Sequence, residues 1–342
     1  MPGGPGFGAG PKTLEWAAAA AQTGHMCAEA LVRLDGLSKR FGKSTALDGV
    51  SLTIEAGEVF GYLGPNGAGK TTTIRLIMGM LRPTSGTAKV LGLDTWRQSV
   101  QVHRLVGYVP GEPALYDRLT GHQHVTYCSH LRHRDDAKRA AQLADRLGLD
   151  LKRPARTLSR GNRQKLAVIL AVMSRPRLLV LDEPTSGIDP LVQQVFHAIL
   201  LEHTADGGSA LFSSHVLGEV ERVADRIGVV RRGKLVAVER LQDLAARSLH
   251  QVRARFAEDV AAADFAGIPG LRDVLVDGRS FSCSAPQSAL DALLKRVSAR
   301  QVDDFECAEA PLEDTFLSYY GIDRNGGADA VVPAGAGGRD AG

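Results

Sequence analysis

The rhythm of apolar and polar positions changes several times along the chain. Residues 31–41 (LVRLDGLSKRF) and 50–57 (VSLTIEAG) predict early strands, the second with alternating Val50, Leu52 and Ile54. EVFGYLG at 58–64 runs into a glycine-rich loop, and a helix is expected from about Lys70. Residues 95–175 read mostly as helix, carried by LTGHQHVTYCSHLRHR, DDAKRAAQLADRLGL and RQKLAVILAVMS. RLLVLDEP at 177–184 and ALFSSH at 210–215 are short apolar runs that suit strands buried in a parallel sheet. Between them, Asp189-Pro190 combines a helix N-cap with a proline at the first helical position. IGVVRRGKLVAV at 227–238 predicts a hairpin turning at Arg232-Gly233.

Around residues 240–250 the style changes. The order becomes strand (QVRARF), helix (VAAADFAGI), two strands (LRDVLVDGRSFSCSA), helix (SALDALLKRVSAR), strand (QVDDFECAEA) and helix (PLEDTFLSYYG). That order suits a small α+β accessory domain of ferredoxin-like type. The expected division is a disordered extension over 1–27, a main domain over 28–245 with a helical part at about 95–175, an accessory domain over 246–322 and a disordered tail over 323–342. Met26 directly precedes the first structured segment and is the expected natural start.

Composition narrows the class. With 342 residues and 44% apolar content, the chain can bury one large core and a smaller one. A net charge of +3 gives no basic footprint for nucleic acid. The longest apolar run, LAVILAVM at 166–173, falls far below the roughly 18–20 residues of a membrane span. The four cysteines (Cys27, Cys128, Cys283 and Cys307) form no CxxC and read as reduced thiols of a cytosolic protein.

The chemistry is concentrated at the ends of the buried strands. Gly64-Pro65-Asn66-Gly67-Ala68-Gly69-Lys70-Thr71-Thr72 fits the phosphate-loop pattern GxxxxGK[ST], after a strand and before a helix as its mechanism requires. The glycines let backbone N–H groups close around phosphates. Lys70 reaches the β- and γ-phosphates, and the Thr71 hydroxyl can ligate Mg²⁺. LLVLDE at 178–183 ends a buried strand in two carboxylates: Asp182 is placed for the Mg²⁺ shell and Glu183 to orient or deprotonate a water. His215 ends the next strand. A lone histidine there is more often structural, but open parallel sheets gather ligands at the carboxyl ends of their strands, which favours a γ-phosphate contact. LSRGNRQ at 158–164 sets a small residue, a glycine and polar side chains before an apolar helical run, a second helix start suited to phosphate. His122, His124, Cys128, His130 and His133 crowd one stretch, but only His124 and Cys128 are spaced to share a helix face. A polar helix is expected there rather than a metal site.

Taken together, these segments resemble the nucleotide-binding subunit of an ABC transporter. They come in the family's order over about 31–240: Phe41, GPNGAGKTT (64–72), a loop at 107–119, LSRGNRQ (158–164), LLVLDE (178–183), SGID (186–189) and SSH (213–215). The resemblance implies an α/β P-loop NTPase cassette, with a RecA-like core, a β subdomain and a helical subdomain, that hydrolyses ATP with Mg²⁺. It implies that Phe41 stacks on adenine. It also implies that two cassettes pair head to tail, so that Ser159, Arg160, Gly161 and Asn162 of one chain close over the ATP held by the other, with Asp189 near the seam. The implied assembly is a homodimer on the cytoplasmic face of the membrane beneath a separately encoded permease. Its implied work is export of a drug, antibiotic or other hydrophobic compound, and no nucleic-acid partner is expected.

Two departures from the family's commonest pattern stand out. Arg160 and Asn162 replace Gly and Gln in the signature, and Arg160 either adds a charge near phosphate or is solvated. Gly111 in GYVPGEPALYDRL replaces a Gln that in the family touches Mg²⁺ or water, a role left to Glu112 or to water. The alternative is a soluble ABC-type ATPase acting on ribosomes or DNA. Against it, the chain carries a single set of motifs and no coiled-coil insert or zinc cysteines.

Overall fold

The computed structural model describes residues 30–246 and 249–309. Strands β1 (Ala30–Phe41) and β2 (Ser44–Glu55) form a long antiparallel pair, followed by β3 (Val59–Leu63) and helix α1 (Lys70–Ile77). Next come β4 (Ser85–Val90), β5 (Leu93–Asp94), α2 (Ser99–Leu105) and β6 (Val106–Val109). Three helices follow, α3 (Gly121–Arg132), α4 (Ala137–Leu147) and α5 (Arg160–Val172). The chain then alternates β7 (Leu178–Asp182), α6 (Pro190–Ala205), β8 (Ser209–Ser214), α7 (Leu217–Val220) and β9 (Arg226–Arg231), and closes with β10 (Lys234–Arg240) and α8 (Leu241–Ala246).

Two sheets result. An antiparallel one has the order β2-β1-β4-β5. The central one runs β10-β9-β3-β8-β7-β6 and is parallel from β9 to β6. Every residue of β3, β7 and β8 is buried, as expected of mostly apolar strands covered on both faces. Period-two alternation divides them between two cores. Val59, Leu63, Leu179, Leu181, Ala210 and Phe212 face the core built with α4, α5 and α6. Phe60, Tyr62, Leu178, Val180 and Leu211 face the core built with the antiparallel sheet and α1. The register pairs Tyr62 with Ser213 and Asp182 with Ser213, so β3, β8 and β7 end side by side.

The stretch 95–175 is less helical than expected. Residues 106–109 form the edge strand β6, which pairs in parallel with β7. The Arg232-Gly233 turn is as expected, with both residues at positive φ (48° and 77°), the geometry that a two-residue hairpin needs.

Residues 249–309 hold a separate antiparallel sheet of β11 (Leu249–Phe256), β12 (Arg272–Asp277), β13 (Ser280–Pro286) and β14 (Val302–Glu309), in the order β12-β13-β11-β14. Helix α9 (Leu290–Ser298) buries Leu293 and Val297 against Phe256, Phe281 and Cys283. Strand order and connections are those of a ferredoxin-like unit, but the first expected helix is only a 3-10 turn, Ala262–Phe265. Gly267, at φ 84°, and Pro269 stop it after one turn. The expected helix PLEDTFLSYYG, both expected disordered termini and Met26 lie outside the described residues.

Candidate active site

The phosphate loop leaves β3 at Gly64, where backbone space is the constraint: a Cβ would run into the Val230 carbonyl oxygen. Gly69 caps α1 in a left-handed conformation (φ 112°), and a Cβ there would lie 2.9 Å from the Ala46 carbonyl oxygen. Gly233 of the β9–β10 turn fixes the loop from outside, its N–H donating to the Ala68 carbonyl at 2.9 Å. The first N–H groups of α1 have no intrahelical acceptor and point back into the loop that precedes the helix, which is how a backbone cradles phosphate. Beneath it, the buried Tyr62 hydroxyl lies 3.2 Å from Thr73 Oγ1, and burial pushes its pKa up to about 12, so the floor of the loop is neutral.

Lys70 is buried, and its ammonium is shared. Nζ donates to the Gly64 carbonyl at 2.7 Å and lies 3.3 Å from Glu183 Oε1. On its other side, Glu183 Oε2 lies 3.4 Å from His215 Nδ1. The first residue of α1 and the residues after β7 and β8 thus form one line: Lys70, Glu183, His215. Glu183 holds a left-handed backbone (φ 47°), uncommon for a residue with a side chain and a mark of functional turns. Asp182 is buried beside it, and Ser213 Oγ donates to its Oδ1 at 2.9 Å.

Ser213, the first residue of SSH, has a role that motif spacing alone does not assign. Besides holding Asp182, its Oγ and its carbonyl each accept from the Glu183 N–H at 3.2 Å. Its signal was its place, since a hydroxyl beside an apolar run in a central strand needs a buried partner.

The remaining expected site residues lie apart from this line. Phe41 is half exposed at the end of β1, with Lys39 Nζ 5.0 Å from its ring centroid. Thr71 is exposed in the first turn of α1 and Thr72 half-buried. Ser159 caps α5, its Oγ accepting from the Asn162 N–H at 3.3 Å. Arg160 reaches its own chain, with Nη2 3.5 Å from Ser186 Oγ and its stem beside Gly187. Gly161 packs so closely that a Cβ would lie 3.0 Å from the Gly187 carbonyl oxygen. Asp189 Oδ1 caps α6 through the Leu191 N–H at 2.9 Å. Gly111 lies against the Asp182 carbonyl, where a Cβ would make an ordinary 3.4 Å contact. His124 is accounted for within the fold: Nδ1 is 2.8 Å from the Thr120 carbonyl, and Nε2 accepts from the Tyr116 N–H at 3.1 Å.

The sequence profile of the family described as ABC transporter matches residues 47–186. The linearmycin resistance ATP-binding protein LnrL of Bacillus subtilis (strain 168) is 35% identical over 222 residues, covering 64% of this chain and 71% of its own length. An uncharacterized ABC transporter ATP-binding protein of the same organism, YcbN, is 34% identical over 229 residues, covering 65% and 73%. The chain belongs to the ATP-binding proteins of ABC transporters. A solved structure of the ATP binding subunit of an ABC transporter superimposes on the cassette with a TM-score of 0.60 at 28% identity, covering 63% of this chain and 91% of that one. A cassette dimer in a post-hydrolysis state, bound to ADP and Pi, shares the fold at 23% identity with a TM-score of 0.57. The cassette is an ATPase, and the line from Lys70 to His215 starts at the end of the phosphate loop. No described helix is long and apolar enough to cross a membrane.

Proposed function

We propose that the cassette powers export of a drug, antibiotic or other hydrophobic compound through a separately encoded permease. In this reading it works as a head-to-tail homodimer at the cytoplasmic face of the membrane. The observation that carries the chemistry is Glu183 held between Lys70 and His215, 3.3 and 3.4 Å away. Glu183 orients a water and takes its proton. Lys70 and the loop from Gly64 to Thr72 hold the triphosphate, His215 contacts the γ-phosphate and Phe41 stacks on adenine. Mg²⁺ fits the donors present, since Asp182 gives only Oδ1 to Ser213 and Thr71, in the first turn of α1, is exposed. When bound there, it neutralises charge on the transferring phosphoryl group.

Ser159 and Gly161, at the start of α5, serve the ATP of the other copy, with Asp189 at the seam. Gly161 packs on Gly187 of its own chain, and Arg160 reaches Ser186 and Gly187. The export reading draws on LnrL, named for linearmycin resistance. The working division is a cassette over 28–245 and an accessory unit over 246–322, the latter free to stabilise the dimer, regulate turnover or contact the permease.

The test is a pull-down of tagged protein from detergent-solubilised host membranes, with the Glu183→Gln form and ATP alongside. One multi-spanning membrane protein in near-equal amount is the expected result. Ribosomal or DNA-associated proteins, with nothing from the membrane, would leave the ATPase standing and overturn the transport assignment.

A further inference from the structure

Behind the Glu183–His215 pair lies a carboxylate that the chemistry above leaves unused. Glu219 is carried by the short helix α7, and its Oε2 accepts two hydrogen bonds, from Ser214 Oγ at 2.7 Å and from Thr185 Oγ1 at 2.9 Å. Both hydroxyl-bearing residues are buried, Ser214 1% exposed and Thr185 2%. Ser214 directly precedes His215, and Thr185 follows Glu183 and Pro184. One oxygen thus joins the two chain segments that present the acid and the histidine.

Each segment is stiff enough to transmit that constraint. On the acid side, the Ser186 N–H donates to the Glu183 carbonyl and the Ile188 N–H to the Thr185 carbonyl, both at 3.1 Å. On the histidine side, Ser214 Oγ also accepts from the Val216 N–H at 3.0 Å. Glu219 is itself anchored. Val220 is fully buried and packs on β3 where Gly61 leaves no room for a Cβ, and Leu217 is buried beside it. Ser213 ties the two strand ends from within the sheet. Glu219 ties the turns that leave it.

We propose that Glu219 is a positioning residue for ATP hydrolysis, clamping Thr185 and Ser214 so that Glu183 and His215 keep their mutual geometry. The two bonds are charge-assisted and short, and without them two buried hydroxyls lose their acceptor. The turns would then shift, and displacements on the ångström scale at a reacting group cost rate rather than binding. The inference rests on Glu183 and His215 acting on the γ-phosphate.

The test compares steady-state ATP turnover of the full chain in Glu219→Ala, Glu219→Gln, His215→Ala and the Glu219→Ala/His215→Ala pair, with Glu183→Gln alongside. Active-site concentration comes from titration with a fluorescent ATP analogue, so an unfolded fraction does not count as lost kcat. Glu219→Ala should lower kcat about tenfold and leave KM for ATP within about twofold. Glu219→Gln, whose carboxamide oxygen can accept both bonds, should recover most of the rate. On the His215→Ala background, Glu219→Ala should add less than about a further twofold. An unchanged kcat in Glu219→Ala, no recovery in Glu219→Gln, or full additivity with His215→Ala would overturn the proposal. Near-normal turnover in Glu183→Gln would instead sink the site reading on which it rests.

Discussion

Replacing Glu183 by Gln is the sharpest perturbation of the line from Lys70 to His215. The backbone is unaffected in kind, because Gln tolerates φ 47° no better and no worse than Glu and keeps the N–H bonds to Ser213. What is lost is one negative charge and one proton acceptor. At 3.3 Å, the Coulomb attraction to Lys70 is about 5 kcal/mol at an effective dielectric of about 20, most of it offset by desolvation of the two groups. Lys70 keeps its bond to the Gly64 carbonyl and the new carboxamide still offers an oxygen, so folding stability should fall by about 1–3 kcal/mol. Nucleotide binding should survive or tighten, since a carboxylate that repels the γ-phosphate is gone. The rate is different. A general base is worth about 10²–10⁴-fold, or roughly 3–5 kcal/mol of barrier. Phosphate release measured at saturating ATP should fall by that factor, while titration with a fluorescent ATP analogue stays near wild type. Turnover within about threefold of wild type would remove Glu183 from the mechanism, whatever its distance to Lys70.

Ser213→Ala removes the donor to a buried Asp182 carboxylate, and denaturant unfolding should show a loss of about 1–3 kcal/mol together with slower turnover. Gly64→Ala drives a methyl group into the Val230 carbonyl. It should cost about 1–3 kcal/mol in thermal or denaturant unfolding and abolish binding of the ATP analogue, and an unperturbed loop would contradict the packing described. Burial pulls the pKa of His197 and His203 below the ordinary imidazole value of 6.5. The unfolded chain therefore binds more protons in mild acid, so their contribution to stability is held above that value and lost as pH falls below it. The melting midpoint should drop between about pH 7 and about pH 5, and His203→Gln should flatten the slope.

What the sequence disclosed and what it withheld follow from the range of the forces involved. β3, β7 and β8 are legible because a strand covered on both faces is mostly apolar, with the polar residues of β7 and β8 at the ends of the runs near the sheet's edges. The helix starts at Ser159 and Asp189 are legible because capping is a contact between near neighbours. β6 is not: four residues, VGYV, become a strand only by pairing with β7, some seventy positions later in the chain. The same holds for Ser213, for Arg160 against Ser186 and for Glu219 between Thr185 and Ser214, whose partners lie across the fold or a turn away on another segment. Motif spacing names the groups proposed to touch the nucleotide, because the phosphate loop and the strand ends recur with fixed local geometry. The groups that hold those side chains in place are chosen by packing. Any buried acceptor that reaches both turns would serve as well as Glu219, so nothing in the local pattern around it, VLGEVERV, separates it from an ordinary helix glutamate.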